Sequence, residues 1–231
     1  MKTIGLLGGM SWESSSEYYR ILNETIAKKL GDLHSADCLL YSVDFAEVEA
    51  LQHEGQWDAL TDMMISAAQR LEHGGAEILL ICTNTMHRMA PEIQAAIEIP
   101  LLHIADAAGE AIQAQRLHKV GLLGTRFTME GDFYRQRLME KFELEVLIPE
   151  EADRETVHNV IYGELVKGQL KDSSRDAFLE IIAKLQANGA EGVILGCTEI
   201  PLLVHQADVE IPVFDTTRIH AEAAIDWAVE K

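Results

Sequence analysis

Leu71-Glu72-His73-Gly74-Gly75-Ala76-Glu77 returns, little altered, as Leu185-Gln186-Ala187-Asn188-Gly189-Ala190-Glu191, an offset of 114 residues. Each copy runs into a short apolar stretch, 78–81 in the first case and 192–195 in the second. Working outward, Ile4-Gly5-Leu6-Leu7-Gly8 matches Val120-Gly121-Leu122-Leu123-Gly124 at an offset of 116, and Glu98-Ile99-Pro100-Leu101 matches Glu210-Ile211-Pro212-Val213 at 112. Three echoes in one order, drifting by only a few residues, mark a chain built from two similar halves. The expected division is 1–115 and 116–231, an approximate boundary across which the chain ends are free to cross.

Each half reads as strands alternating with helices. Ile4 to Leu7, Val120 to Leu123, Leu79 to Ile81 and Val193 to Leu195 are short apolar runs of the kind that form buried parallel strands. Trp12 to Leu30 and Trp57 to Glu72 carry apolar residues at helical spacing, the second closing on Gly74-Gly75. Trp12, Tyr18, Tyr19 and Trp57 fall on these patterns and are read as packing residues. Strand and helix in alternation predict an α/β fold with mostly parallel sheets flanked by helices. In such sheets ligands bind beyond the carboxyl ends of the strands. The residues directly after each strand are therefore the ones to inspect.

The bulk of the chain narrows the choice of partner. It has 231 residues, 48% of them hydrophobic and 25% charged, with a formal net charge of −19. So acidic a chain is not expected to bind nucleic acid, which requires a basic surface. The start, MKTIGLLGGMSW, is apolar over too few residues for a signal peptide or a membrane span, so no membrane partner and a cytoplasmic location are expected. The three cysteines, Cys38, Cys82 and Cys197, form no Cys-x-x-Cys pair, and the histidines show no metal-ligand spacing. No metal and no cofactor are expected, pyridoxal phosphate included.

Superposing the halves at the offset of 114 sets Thr83 opposite Cys197, Asn84 opposite Thr198, and Thr85 opposite Glu199. A reaction that removes a proton from one face of a tetrahedral carbon and returns one to the other needs two such groups. Cys197 is the candidate base: a thiol titrates near pH 8.5, and a helix start lowers that value. Cys197-Thr198-Glu199-Ile200-Pro201 reads as a strand-to-helix turn with Pro201 at an early helical position. Cys82 neighbours Thr83 on the other face of the strand end and is assigned to the core. Gly8-Gly9-Met10-Ser11 follows the first strand, as a ligand-approach loop or a tight turn; its spacing fits no dinucleotide or nucleotide-phosphate motif.

These residues resemble the aspartate/glutamate racemase family, whose marks are Gly-Gly-Met after the first strand, Cys-Asn-Thr-x-His in the first half and Gly-Cys-Thr-Glu in the second. The chain has Gly8-Gly9-Met10, Thr83-Asn84-Thr85-Met86-His87 and Gly196-Cys197-Thr198-Glu199. The likeness spans the whole chain and is greatest to the aspartate racemase branch. It implies two pseudo-twofold-related lobes with the active site in the cleft between them, cofactor-independent racemisation of aspartate- or glutamate-like amino acids, and a homodimer. It makes Thr83 and Cys197 the catalytic pair, with Cys197 taking the Cα proton of the L-enantiomer. Thr83 stands where the family has its first cysteine, and a hydroxyl is a far weaker acid than a thiol, so L-substrate is expected to outrun D. Substrate contacts are expected from Met10, Gln52, Asn84, Thr85, Thr125, Thr128, Lys167, Thr198 and Glu199. Lys167 matches the lysine that meets the distal carboxylate. Gln52 lies where a first-half arginine would be, and a guanidinium clamp is lost there. His87 occupies the family's histidine position. Rival readings are a hydantoin racemase, a maleate isomerase, a malonate decarboxylase, a cysteine amidase using His87, and a carboxylate-binding protein without catalysis.

Overall fold

The computed structural model describes residues 1–31 and 33–230. It resolves into two compact units: Met1–Ile104 together with the chain from His220 onward, and Ala105–Ile219. The unit boundary falls after Ile104, where the sequence placed it near 115, and the last residues return to the first unit.

The first unit runs β1 (Ile4–Gly8), α1 (Trp12–Leu30), β2 (Cys38–Ser42), α2 (Phe45–His53), α3 (Trp57–His73), β3 (Ile78–Ile81), a 3-10 turn over Thr85–Met89, α4 (Ala90–Ala95) and β4 (Leu101–Leu102). Its four strands are parallel in the order β2-β1-β3-β4. A helix, α5 (Ile104–Ala114), leads into the second unit: β5 (Lys119–Gly124), α6 (Arg126–Glu130), α7 (Asp132–Phe142), β6 (Glu145–Leu147), α8 (Glu151–Gly163), α9 (Asp172–Ala187), β7 (Gly192–Gly196), β8 (Val213–Asp215) and most of the start of α10 (Thr216–Val229). Here the order is β6-β5-β7-β8, again all parallel. The two sheets therefore repeat one topology strand for strand.

The repeated sequence is repeated physics. Gly75 and Gly189 both sit at positive φ, +100° and +97°, where a side chain would be strained. They turn the chain from α3 or α9 into the next strand. Directly after, Glu77 and Glu191 each accept backbone N–H groups at the start of the central strand. Thr3 N–H donates to Glu77 at 2.7 Å, and His118 and Lys119 N–H donate to Glu191 at 2.7 and 3.0 Å. Gly5 and Gly121 lie against the ends of the same helices. A Cβ at Gly5 would meet the Ala76 Cβ at 2.8 Å, and one at Gly121 the Leu185 Cδ1 at 2.9 Å. Only glycine lets helix and strand approach so closely.

β1 and β3 are buried along their whole lengths, as are β5 after its first residue and all of β7. On one face of the first sheet, α3 covers Leu7, Leu79 and Ile81; on the other, α1 and α10 cover Ile4, Leu6, Ile78, Leu80 and Cys82. Cys82 is thus a core residue, as expected. Of the aromatic residues read as packing, Tyr18 is buried and Trp57 packs against the core. Trp12 and Tyr19 do not pack: they stand 67% and 54% exposed on α1. Helical spacing identified their helix, but both lie on its outer face. Among the described residues no helix is long and apolar enough to cross a membrane.

Candidate active site

Both central strands end in the same device. Ser11 caps α1 by accepting the Ser14 N–H at 3.3 Å, and Thr125 caps α6 by accepting the Thr128 N–H at 3.3 Å, again 114 residues apart. These caps satisfy amides that helix starts leave unpaired. Side-chain hydroxyls also tie down the end of the neighbouring strand: Ser14 donates to the Cys82 carbonyl and Thr216 to the Leu195 carbonyl, both at 2.8 Å. Thr125 and Thr128, expected as substrate contacts, are buried in this capping arrangement, with their hydroxyls 3.2 Å apart.

In the first unit, Thr83 is half-buried just past β3, and Asn84 and Thr85 are buried beside it. His87 braces this turn. The Ile104 N–H can only donate, so His87 Nε2 accepts it at 3.1 Å, which leaves Nδ1 to donate to the Thr83 carbonyl at 2.8 Å. A ring engaged at both nitrogens inside its own unit is a scaffold for Thr83, which disfavours the amidase reading. The Gly-Gly pair is a tight turn. Gly9 has φ +93°, a Cβ there would lie 2.3 Å from the Val43 carbonyl oxygen, and its N–H already donates to the Ser15 hydroxyl at 2.8 Å. Met10 is buried with the α3 core cluster. Gln52 is buried near the end of α2, and its Nε2 has no hydrogen-bond partner among the described residues. An orphaned buried donor is the kind of group a ligand oxygen satisfies.

In the second unit, Cys197 follows β7 and is 7% exposed. Its Sγ–H donates to Glu199 Oε2 at 3.0 Å, and the Thr198 hydroxyl donates to the same oxygen at 2.9 Å. Burial pushes the thiol well up from its ordinary range. The Glu199 charge and hydrogen bond add to this, and backbone N–H groups of Glu199 and Ile200 oppose it only partly. The sequence expectation is corrected on two points. The element after Cys197 is a single 3-10 turn, Ile200–Leu202, with Pro201 in its first positions, too short to supply a strong dipole. The thiol is thus held above its ordinary range and hydrogen-bonded to the Glu199 side chain. Glu199, expected as a substrate contact, accepts at Oε2 from both Cys197 and Thr198. Sequence carried a signal for this, since a carboxylate two residues after the thiol is within reach once the turn is tight.

Lys167 is exposed on a 3-10 turn, Leu165–Lys167, directly after α8. The turn is fastened on both sides. Leu165 is buried, and Glu164 accepts from the Ser174 hydroxyl at 2.6 Å and from Lys171 at 3.0 Å. Farther back on α8, His158 accepts the Arg126 N–H at 3.2 Å and lies between the rings of Phe127 and Tyr162, centroids 6.0 and 4.8 Å away. This ladder links the Thr125 cap to the helix that carries the lysine.

Comparison with known proteins agrees with this organisation. The family model for Asp/Glu/hydantoin racemases matches residues 7–224. A candidate Asp/Glu racemase from Yersinia pestis shares 53% identity, with both chains covered completely and a TM-score of 0.93. An aspartate racemase homologue from Pyrococcus horikoshii OT3 shares 37% identity over all of both chains, with a TM-score of 0.87. The broad specificity amino-acid racemase RacX of Bacillus subtilis is 24% identical over 227 residues, 96% of each chain. With one parallel sheet topology used twice and related polar turns closing both central strands, this chain belongs to the Asp/Glu/hydantoin racemase family.

Proposed function

We propose that the protein is a cofactor-independent racemase of aspartate- or glutamate-like amino acids that works from the L-enantiomer. Cys197, as thiolate, removes the Cα proton of the L-form. The opposite face is reprotonated by Thr83 or by a water it holds, completing inversion. Lys167 and the unpaired Gln52 amide receive substrate carboxylate oxygens, and the hydroxyls and amides around Thr83-Asn84-Thr85 and Cys197-Thr198 stabilise the charge that develops. A homodimer in the cytoplasm belongs to the same reading.

The observation that carries the proposal is the equivalence of Thr83 and Cys197 at the ends of matching central strands, with a thiol on one side only. One thiol and one hydroxyl make an unequal pair, which is why the L-form is favoured. Initial rates with L- and D-aspartate and L- and D-glutamate test this. The L-forms are expected to turn over at least about tenfold faster, and Cys197→Ser to lose about a thousandfold or more of that rate. Equal rates from both enantiomers, or an active Cys197→Ser protein, defeat the proposal.

A further inference from the structure

A thiol held by a buried carboxylate raises a question of proton traffic. Before Cys197 can act as a base, the hydrogen on Sγ must leave, and the acceptor already bonded to it is Glu199 Oε2, 3.0 Å away. Glu199 is only 3% exposed and also accepts from the Thr198 hydroxyl, so the carboxylate is fixed in place for this transfer. Nothing comparable follows Thr83, whose third residue in the turn is Thr85.

We infer that Glu199 relays the Cys197 proton to solvent, so that the protein exchanges the Cα hydrogen of L-substrate with water, with retention, faster than it forms the D-enantiomer. The inference rests on the proposed role of Cys197 as the L-side base. The steps balance without any oxidant or further reactant. The Sγ proton passes to the Glu199 carboxylate. The thiolate then takes the Cα proton: the C–H bond breaks, an S–H bond forms, and the electron pair stays on the substrate. Glu199 gives its proton to water, accepts the substrate-derived proton from sulfur, releases that too, and returns a solvent proton to Sγ. Delivery from Sγ to the same face restores the L-enantiomer carrying a solvent hydrogen, and a second solvent proton, passed through Glu199, restores the resting Sγ–H. The competing route needs a proton from the Thr83 side, where a hydroxyl is a poor donor. The carbanion therefore returns to the Cys197 face more often than it inverts.

The experiment is L-aspartate with the intact protein in heavy water, with the enantiomers separated and Cα deuterium in the recovered L-form measured against D-aspartate formed. Deuterium in recovered L-aspartate is expected to run about tenfold or more ahead of D-aspartate. Glu199→Gln keeps the side-chain shape and removes the relay, so this ratio is expected to fall by about tenfold or more, with Glu199→Asp restoring part of it. D-aspartate appearing while recovered L-aspartate stays unlabelled overturns the relay and leaves the Cys197 proposal standing. A Glu199→Gln protein that keeps the wild-type ratio also overturns it. Exchange that survives in Cys197→Ser overturns the Cys197 proposal itself. The wild-type measurement decides the main point even if a variant does not fold.

Discussion

The turns after β3 and β7 are copies of one another in position and opposites in chemistry. Thr83-Asn84-Thr85 ends its strand with neutral hydroxyl and amide groups and is braced from behind by His87. Cys197-Thr198-Glu199 places a thiol and a hydroxyl on one buried carboxylate oxygen. Duplication has preserved the frame, namely the parallel order, the glycine turns, the glutamates that clasp strand starts and the helix caps. The residues that differ stand where the frame ends. A repeated scaffold can thus present two unlike polar groups at equivalent points without either compromising the other's support.

The largest gain should come from making the two turns alike. Thr83→Cys supplies a second thiol at a half-buried position and should raise the rate on D-aspartate by about a hundredfold, a general acid–base contribution. Initial rates from pure D-enantiomer read it directly; no gain would mean that position 83 does not face the substrate. A smaller effect concerns pH. Burial, followed by the Glu199 carboxylate, holds the Cys197 thiol above its ordinary range, so near neutral pH the proton must be given away to make the base. With Glu199 present it passes within the pair, which titrates as a unit, and kcat/KM for the L-form should change little around neutrality. In Glu199→Gln the proton must go to solvent, and kcat/KM should climb by about tenfold per pH unit until the thiol has titrated. A flat profile in the variant would show that the thiol needs no acceptor. The smallest effect tests the shared frame. Ser11→Ala and Thr125→Ala each remove one helix cap, and each should cost about 1 kcal/mol in denaturant unfolding. Costs differing by more than about 2 kcal/mol would mean that the two caps carry unequal loads.

Much of this was readable from residue types. The echoes at 71 and 185, 4 and 120, and 98 and 210 became α3 and α9 with their glycine turns, β1 and β5, and the approaches to β4 and β8. Buried strands and the turns that end them are local patterns, so a repeat in sequence carries over to a repeat in structure. Cys82 in the core followed from strand alternation. Readings that depended on what lies across from a residue fared less well. Trp12 and Tyr19, read as packing residues, lie on the exposed face of α1. Spacing alone also does not assign the partners found for Gly9 N–H, which donates to Ser15, or for the hydroxyls of Thr125 and Thr128, which lie 3.2 Å apart.

By itself the sequence determined that the chain is a doubled parallel α/β protein and which residues sit at its strand ends, because hydrophobic period, glycine and proline act over a few residues. Only the tertiary structure decided the state of the groups found there. Burial and a hydrogen bond from Sγ to Glu199 make the expected depressed thiol a raised one, and two bonds pin His87 as a brace. Protonation and tautomer are set by desolvation and by partners within about 3 Å, and those exist only once the chain is folded.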